Sequence, residues 1–208
     1  MTDLVLVRHG ETIWHADNRY TGSSDIPLSS RGLAEGDELA RWARTAGLSG
    51  VWASDLSRSQ LTARPGAEAA GLDLRVDPRL REVDFGQGEG MTRAEMAQTI
   101  PDDFAAFQRD PVANHLPGGE DPRLAVERGL ACLDEIAGTY PDGRVLVVCH
   151  STLIRLMICS LLGVPLGDYR RVLPTVRNGY LNEIRIGNGR AALLSLNAPP
   201  VPVPGEVQ

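Results

Sequence analysis

The sequence LVLVRHGET, residues 4–12, runs from four consecutive large aliphatic side chains into an arginine and a histidine. Such an unbroken apolar run is typical of a central strand in a parallel sheet covered on both faces. Ligand crevices in these sheets lie beyond the carboxyl ends of the strands, so Arg8 and His9 are expected at the edge of a cleft. An arginine offers a planar fork of donors to phosphate or carboxylate oxygens, and an adjacent histidine can be a nucleophile or a proton carrier. The pair indicates chemistry on an anion, although a strand that merely ends in two solvated residues explains this stretch alone equally well.

The chain after this strand alternates helical and strand patterns, which predicts an α/β fold. A helix is expected after the cap Ser29-Ser30, with Leu33, Gly36, Ala40 and Ala43 on its buried stripe. The further elements expected from the pattern are a strand over 51–53, a helix over about 57–70, a strand within 72–76, a helix through 126–137, a strand over 145–149 and a helix over 153–162.

The end of the chain predicts how the sheet is completed. Residues 181–186 and 191–196 flank a Gly-Asn-Gly turn and are expected to form an antiparallel hairpin at the sheet edge. We therefore predict a single three-layer α/β/α domain over residues 1–198, with a mostly parallel central sheet and an antiparallel edge strand. Residues 92–116 are the place for a small inserted cap, although helical core is the simpler explanation of their apolar residues. The Pro-rich residues 199–208 are expected to be an extended or disordered tail.

Composition narrows the class of protein. With 208 residues, 42% of them hydrophobic, and no apolar run of membrane-spanning length, the chain predicts a soluble globular protein. It starts directly in a strand without a secretory signal, which predicts a cytoplasmic location. The net charge of −6 argues against a nucleic-acid or anionic-membrane partner. The three cysteines lie in apolar segments and are expected to be reduced core thiols.

A second buried strand also ends in a histidine, His150, and Arg58 and Glu82 lie between the two histidines along the chain. Together with their neighbours these residues resemble the histidine phosphatase superfamily, also called phosphoglycerate-mutase-like, branch 1. The motifs that carry the resemblance, in chain order, are RHGET at 8–12, NRYTG at 18–22 with DIPL at 25–28, the SDLSR turn at 54–58 followed by Thr62-Ala63, Glu82 with Phe85-Gly86 and Glu89-Gly90, PGGE at 117–120, and His150.

The resemblance implies that His9 is a nucleophile that forms a phosphohistidine. It also implies that Glu82 is the general acid of the first step and the base that activates water in the second. Positive charge on the transferring phosphoryl oxygens is what such chemistry needs, and Arg8, Arg58 and a cationic His150 are the candidates to supply it without a metal or other cofactor. Glu11 and Asp84 remain local alternatives to Glu82.

The candidate substrate-binding residues are His15, Thr21, Gly22, Arg93 and Ser151. The free N–H groups at the start of the helix that follows His150 are expected to add to phosphate binding. Several positions depart from the family pattern. His15 stands where many relatives have asparagine, and it could donate to a phosphate oxygen. Gly88 stands where tryptophan is frequent and predicts a more open pocket wall, while Ser151 replaces glycine and Asp121 replaces serine.

These residues predict a phosphomonoesterase acting on a small phosphorylated metabolite. A phosphomutase is the alternative, but the mutases of this family carry a longer insertion with paired arginines, whereas Arg93 and Arg109 are far apart and Arg170-Arg171 lies in another part of the chain. A binding protein that has lost catalysis is a third alternative, from a different class. A metal site is disfavoured because the four histidines lack ligand spacing. A homodimer is left open.

Overall fold

The computed structural model describes residues 1–201 and contains one six-stranded sheet. Of the tail predicted over residues 199–208, residues 202–208 lie outside the described residues. The strands are β1 (Thr2–Arg8), β2 (Gly50–Ala53), β3 (Leu74–Val76), β4 (Arg144–Cys149), β5 (Leu181–Gly187) and β6 (Arg190–Ala198), and they lie in the order β3-β2-β4-β1-β5-β6.

The strand directions confirm the predicted sheet. Strands β3, β2, β4 and β1 run parallel to one another, whereas β5 pairs antiparallel with β1. The predicted hairpin joins β5 to β6 at one edge. In the register between β1 and β4, Arg8 lies opposite Cys149. The residues that follow these two strands therefore leave the sheet side by side.

Helices cover both faces of the sheet, which confirms the three-layer architecture. The helices are α1 (Ser30–Ala43), α2 (Ser57–Ala70), α3 (Arg93–Thr99), α4 (Pro101–Arg109), α5 (Pro122–Thr139), α6 (Ser151–Leu161) and α7 (Tyr169–Val172). Leu4 and Leu6 of β1 belong to the core shared with α5 and α6, while Val5 and Val7 belong to the core shared with α1 and α2. Alternate side chains of one strand thus fill two cores, as the unbroken apolar run requires.

The buried stripe of α1 differs from the predicted one. Leu33 is 51% exposed, and the buried residues are Gly32, Gly36, Leu39, Trp42 and Ala43. The inner face contains glycine at Gly32 because a Cβ there would lie 2.0 Å from the carbonyl oxygen of Glu11. This close backbone contact and the packing of Leu39, Trp42 and Ala43 in the core together hold this face toward the sheet.

Helices α3 and α4 occupy the segment where a cap was considered. Their side chains Met96, Phe104 and Phe107 form a hydrophobic cluster with Phe85 and Leu116, separate from the two cores that cover the sheet. Thr92 caps α3 by accepting from the backbone N–H of Glu95. All three cysteines are free and buried, as expected. Among residues 1–201, no helix is both long and apolar enough to span a membrane.

Candidate active site

The two histidines that follow β1 and β4 lie together at the carboxyl edge of the sheet. Their ring centroids are 5.0 Å apart, and His9 and His150 are 5% and 0% exposed. The backbone N–H of His9 donates to the carbonyl of Cys149 at 3.0 Å, which extends the pairing of β1 with β4 by one residue. Parallel neighbouring strands therefore bring together two residues that are 141 positions apart in the chain.

His9 has a defined tautomer. Its Nδ1–H donates to the carbonyl of Gly10 at 2.7 Å, which leaves Nε2 with a free lone pair. Burial, with the nearby cations Arg58 and Arg8, holds the pKa of His9 well below its ordinary value. The ring is consequently neutral at physiological pH, the state in which an imidazole can act as a nucleophile.

His150 is also neutral, contrary to the cation expected from the sequence. Burial is the main cause of its lowered pKa, and Arg58 and His9 add to it. Its Nε2 lies 2.7 Å from the Oγ of Ser54, while its Nδ1 is buried without a partner among residues 1–201. In the tautomer in which the Ser54 hydroxyl donates to Nε2, the proton is on Nδ1 and His150 can offer this N–H to an anion.

Arg58 is wholly buried at the start of α2 and is held by a loop. Its terminal nitrogens donate to the carbonyls of Gly22 and Ser24, and its Nε is buried without a partner among the described residues. The same loop is fixed by Glu89, whose carboxylate accepts from the backbone N–H groups of Gly22, Ser23 and Ser24. Gly22, predicted to bind substrate, instead helps to position Arg58. Its carbonyl accepts from Arg58, and its N–H is held by Glu89.

Arg8 and His15 form a pair. The Nη2 of Arg8 lies 2.6 Å from the Nε2 of His15. On the other side of the ring, Nδ1 accepts from the backbone N–H of Thr12 at 3.0 Å and lies 2.8 Å from the Thr12 hydroxyl. Burial and the adjacent Arg8 lower the pKa of His15 to about 4. In this arrangement His15 holds Arg8 in place, and the donor role expected for it toward a phosphate stays a prediction.

Glu82 caps helix α6. One carboxylate oxygen accepts from the N–H of Thr152, and the other accepts from the N–H groups of Leu153 and Val83, at 2.9 to 3.0 Å. The N–H groups of Thr152 and Leu153, expected to bind phosphate, are therefore occupied by Glu82. Two bonds fill the lone pairs of Oε1, whereas Oε2 accepts only one and keeps a position for a proton.

The site opens into a cavity of about 480 Å³. Of the predicted residues, it is lined by Arg8, His9, His15, Thr21, Glu82, Arg93 and Ser151. His150 and Arg58 lie behind this surface, and Gly22 does not reach it. Gly88 is also remote from the cavity: a Cβ there would lie 2.4 Å from a methyl group of Leu116. The predicted opening of the pocket wall at Gly88 is wrong, because Leu116 fills that space.

Sequence reasoning missed two cationic residues on the far side of the cavity from His9. Arg155 and Arg170 both line the cavity, although Arg170-Arg171 had been set aside as lying in the wrong part of the chain. Arg155 is four residues after Ser151 on α6, so helical periodicity could have placed it on the same face. Arg170 had no such signal, because only the packing of α7 against α6 brings it to the site. In residues 1–201 no three His, Cys, Asp or Glu side chains are grouped to hold a metal ion.

Comparison with known proteins agrees with this geometry. Residues 4–199 match the model of the histidine phosphatase superfamily, branch 1. The chain belongs to that family. Its predicted membership, its fold and its assignment as a histidine phosphatase enzyme are thereby confirmed.

Named relatives of this histidine phosphatase include both phosphatases and mutases. The chain is 35% identical to a probable phosphoglycerate mutase, GpmB, of Enterobacter sp. (strain 638), over 88% of this chain and 85% of that one. It is 34% identical to phosphoserine phosphatase 1 of Hydrogenobacter thermophilus, over 95% and 92% of the two chains. The structure of a putative alpha-ribazole-5'-P phosphatase from Escherichia coli superposes with a TM-score of 0.87 at 27% identity, covering 97% and 98%.

The PGGE motif of this histidine phosphatase has a structural role. Glu120 forms a two-pronged ion pair with Arg128, at 2.7 and 2.8 Å. The remaining donors of Arg128 bind the carbonyls of Arg79, Arg81 and Glu82. The motif thus fixes the backbone that carries Glu82, on the opposite side from the start of α6.

Proposed function

We propose that this protein is a metal-independent phosphomonoesterase that hydrolyses a small phosphorylated metabolite through a phosphohistidine on His9, with Glu82 as general acid and base. In the first step the Nε2 of His9 attacks phosphorus and the ester P–O bond breaks. The departing alcohol oxygen takes the proton from Glu82. In the second step water attacks the phosphohistidine, Glu82 accepts a proton from the water, and inorganic phosphate leaves with His9 restored.

One observation carries the proposal. Among residues 1–201, five buried side-chain nitrogen or oxygen atoms lack a hydrogen-bond partner, and three of them are Arg8 Nε, Arg58 Nε and His150 Nδ1. Buried polar groups are ordinarily paired, so unpaired donors clustered around one nucleophile indicate that a ligand completes them. The two arginine nitrogens are donors, and His150 Nδ1 is a third when the Ser54 hydroxyl donates to Nε2, which suits the oxygens of a transferring phosphoryl group.

The charges support the same function. Burial lowers the pKa of Arg8 to about 10, so this arginine stays a cation at neutral pH. His9 is neutral beside Arg8 and Arg58, which favour a phosphoryl anion and disfavour protonation of the nucleophile. Glu82 lines the same cavity and keeps one free position on Oε2, the arrangement that a general acid needs.

The experiment compares the wild type with His9→Ala in the presence of a chelator. The substrates are a generic aryl phosphate and a panel of phosphorylated metabolites, and released phosphate is measured. Release by the wild type that is lost in His9→Ala is the expected result. His115→Ala is the matched control, because His115 is exposed and does not line the cavity. Activity that survives in His9→Ala, or that disappears with the chelator, contradicts the proposal.

The mutase alternative is tested on the same samples, because a relative is named as a probable phosphoglycerate mutase. A mutase must keep water from the phosphoenzyme until the phosphoryl group is returned to the substrate. With 3-phosphoglycerate, we expect phosphate release to exceed the formation of 2-phosphoglycerate. Isomerisation faster than phosphate release would assign the protein to the mutases.

A further inference from the structure

The cavity beside the proposed phosphate site is strongly positive in a protein whose net charge is negative. It is lined by five arginines and a single carboxylate, Glu82. One of the arginines, Arg19, is paired with Glu95. Of the other four arginines, only Arg8 belongs to the donors around His9. The cavity therefore contains cationic groups that the phosphate site does not use.

Arg155 is the most enclosed of these remaining cations. Its Nε donates to the carbonyl of Ser151 at 3.2 Å, and its guanidinium lies over the ring of Tyr169 with the Cζ 4.8 Å from the centroid. Within residues 1–201, neither of its two terminal nitrogens has a hydrogen-bond partner, and no carboxylate lies within ion-pair distance. Burial lowers its pKa, as expected for a cation that has lost water without gaining a counter-charge.

Arg170 lies beside Arg155 and shares Tyr169 with it. Its Nε donates to the Tyr169 hydroxyl at 3.0 Å, and its guanidinium lies over the ring of Phe107 at 4.5 Å. In the described part of the chain Arg170 also has no carboxylate partner, and its Nη2 makes no hydrogen bond. Stacking on two aromatic rings holds the guanidinium in place without using its outer donors.

The position of these two arginines separates them from the reacting phosphate. Arg8, Arg58 and His150 surround His9 at the ends of the strands, whereas Arg155 lies one turn, about 5 Å, further along α6. A single phosphoryl group bound at His9 therefore leaves Arg155 and Arg170 free. Planar guanidinium forks with unused donors match carboxylate or phosphate oxygens.

We propose that the substrate carries a second anionic group, a carboxylate or a second phosphate, and that Arg155 and Arg170 bind it and set the specificity of the enzyme. This inference rests on the proposed phosphatase function. It identifies the substrate class as a small phosphomonoester that carries a second acidic group.

The test uses pairs of substrates that differ in the second anion. Phosphoserine and phosphoethanolamine differ by one carboxylate, and fructose 1,6-bisphosphate and fructose 6-phosphate differ by one phosphate. We expect the wild type to prefer the more acidic member of at least one pair by roughly ten- to 150-fold in kcat/KM, the value of a charge-assisted hydrogen bond. The pair that shows the preference identifies the second group as carboxylate or phosphate.

Variants then assign the preference to residues. Arg155→Met and Arg170→Met are expected to abolish it through a higher KM for the more acidic substrate, with a much smaller effect on hydrolysis of the aryl phosphate. Arg171→Met is the matched control, because Arg171 is adjacent in sequence but exposed and paired with Asp168. Equal loss on all substrates would indicate a structural role for the two arginines and overturns the inference.

The two proposals fail in different ways. If the aryl phosphate is hydrolysed in a His9-dependent manner but both members of each pair react alike, the second anionic group is refuted and the phosphatase stands. If no substrate is hydrolysed, the phosphatase proposal fails. Calorimetric titration of all four compounds then tests the second anionic group by binding alone. Tighter binding of the more acidic member of a pair, lost in Arg155→Met, supports the inference. Equal binding within both pairs overturns it.

Discussion

Replacing Ser54 with alanine is expected to change the proton position on His150. The Ser54 hydroxyl lies 2.7 Å from Nε2 of His150, and both residues are fully buried. We expect the hydroxyl to donate to Nε2, which keeps the ring proton on Nδ1, an atom that has no partner among residues 1–201. In Ser54→Ala either Nε2 is left unpaired, or the proton moves to Nε2 and turns a lone pair toward the bound phosphate.

The magnitude follows from those two outcomes. A buried nitrogen left without its partner costs about 1–3 kcal/mol of stability. A proton that moves to Nε2 removes one donor from the charged phosphoryl oxygens, which is worth about 1.5–3 kcal/mol. The expected loss in kcat/KM is therefore roughly ten- to 150-fold. Because the chemistry at His9 is untouched, activity should fall without disappearing.

Two measurements check this prediction. Steady-state hydrolysis of an aryl phosphate gives kcat/KM, and ¹⁵N NMR of the histidine rings distinguishes a protonated ring nitrogen from a bare one. Ser57→Ala is the matched control, because this neighbouring hydroxyl donates to Asp25 instead of a histidine. We expect a normal His150 spectrum and normal kinetics in the control, and an altered tautomer with reduced kcat/KM in Ser54→Ala.

The reasoning is refuted by either of two results. A wild-type His150 with its proton on Nε2 would mean that the imidazole donates to Ser54, and the free donor at Nδ1 would not exist. A Ser54→Ala protein with unchanged ring shifts and unchanged kcat/KM would show that the hydroxyl does not control the tautomer. Equal losses in both serine variants would point to damage of the turn as a whole.

The other predictions concern the acid, the histidines and a tight glycine. Glu82→Gln should slow hydrolysis of an alkyl phosphate by roughly 10²- to 10⁴-fold, because a poor leaving group needs a proton. The phosphorylation step with a good aryl leaving group should slow much less. Equal effects on the two substrates in single-turnover assays would reject Glu82 as the general acid. The pKa values of His9, His15 and His150 are lowered in the folded protein, so below pH 6.5 the unfolded chain binds protons that the folded protein does not. The free energy of unfolding should therefore fall as pH drops from 6.5 toward 4. For each histidine, the fall is at most about 1.4 kcal/mol per pH unit. Urea unfolding at pH 7.5, 6 and 5 measures this free energy. In His15→Asn we expect it to depend less steeply on pH. A free energy of unfolding that does not change with pH contradicts the prediction. Gly88→Ala should lower the free energy of unfolding by about 1–3 kcal/mol in the same assay, because the new Cβ would overlap a leucine methyl group, whereas no loss would mean that the leucine moves freely.

The sequence identified much of the sheet and the residues at its edge. Unbroken apolar runs before His9 and before His150 predicted buried parallel strands, and such strands carry their following residues to one edge. Periodicity located α2 at Ser57–Ala70 as predicted. The stripe on α1 was misplaced, because the contact of Gly32 with the chain at Glu11 depends on how the helix docks and leaves no mark in hydrophobicity.

The sequence by itself determined the residue types of the candidate chemistry, because strand endings and motif order are local properties of the chain. Only the tertiary structure decided their protonation and their partners. The neutral His150, the His15 that orients Arg8, and the Gly22 loop that holds Arg58 all depend on burial and on contacts between distant segments. The same holds for Arg155 and Arg170, which share one cavity because α7 packs against α6. A guanidinium is available to bind a substrate anion only where the packing around it provides no carboxylate partner.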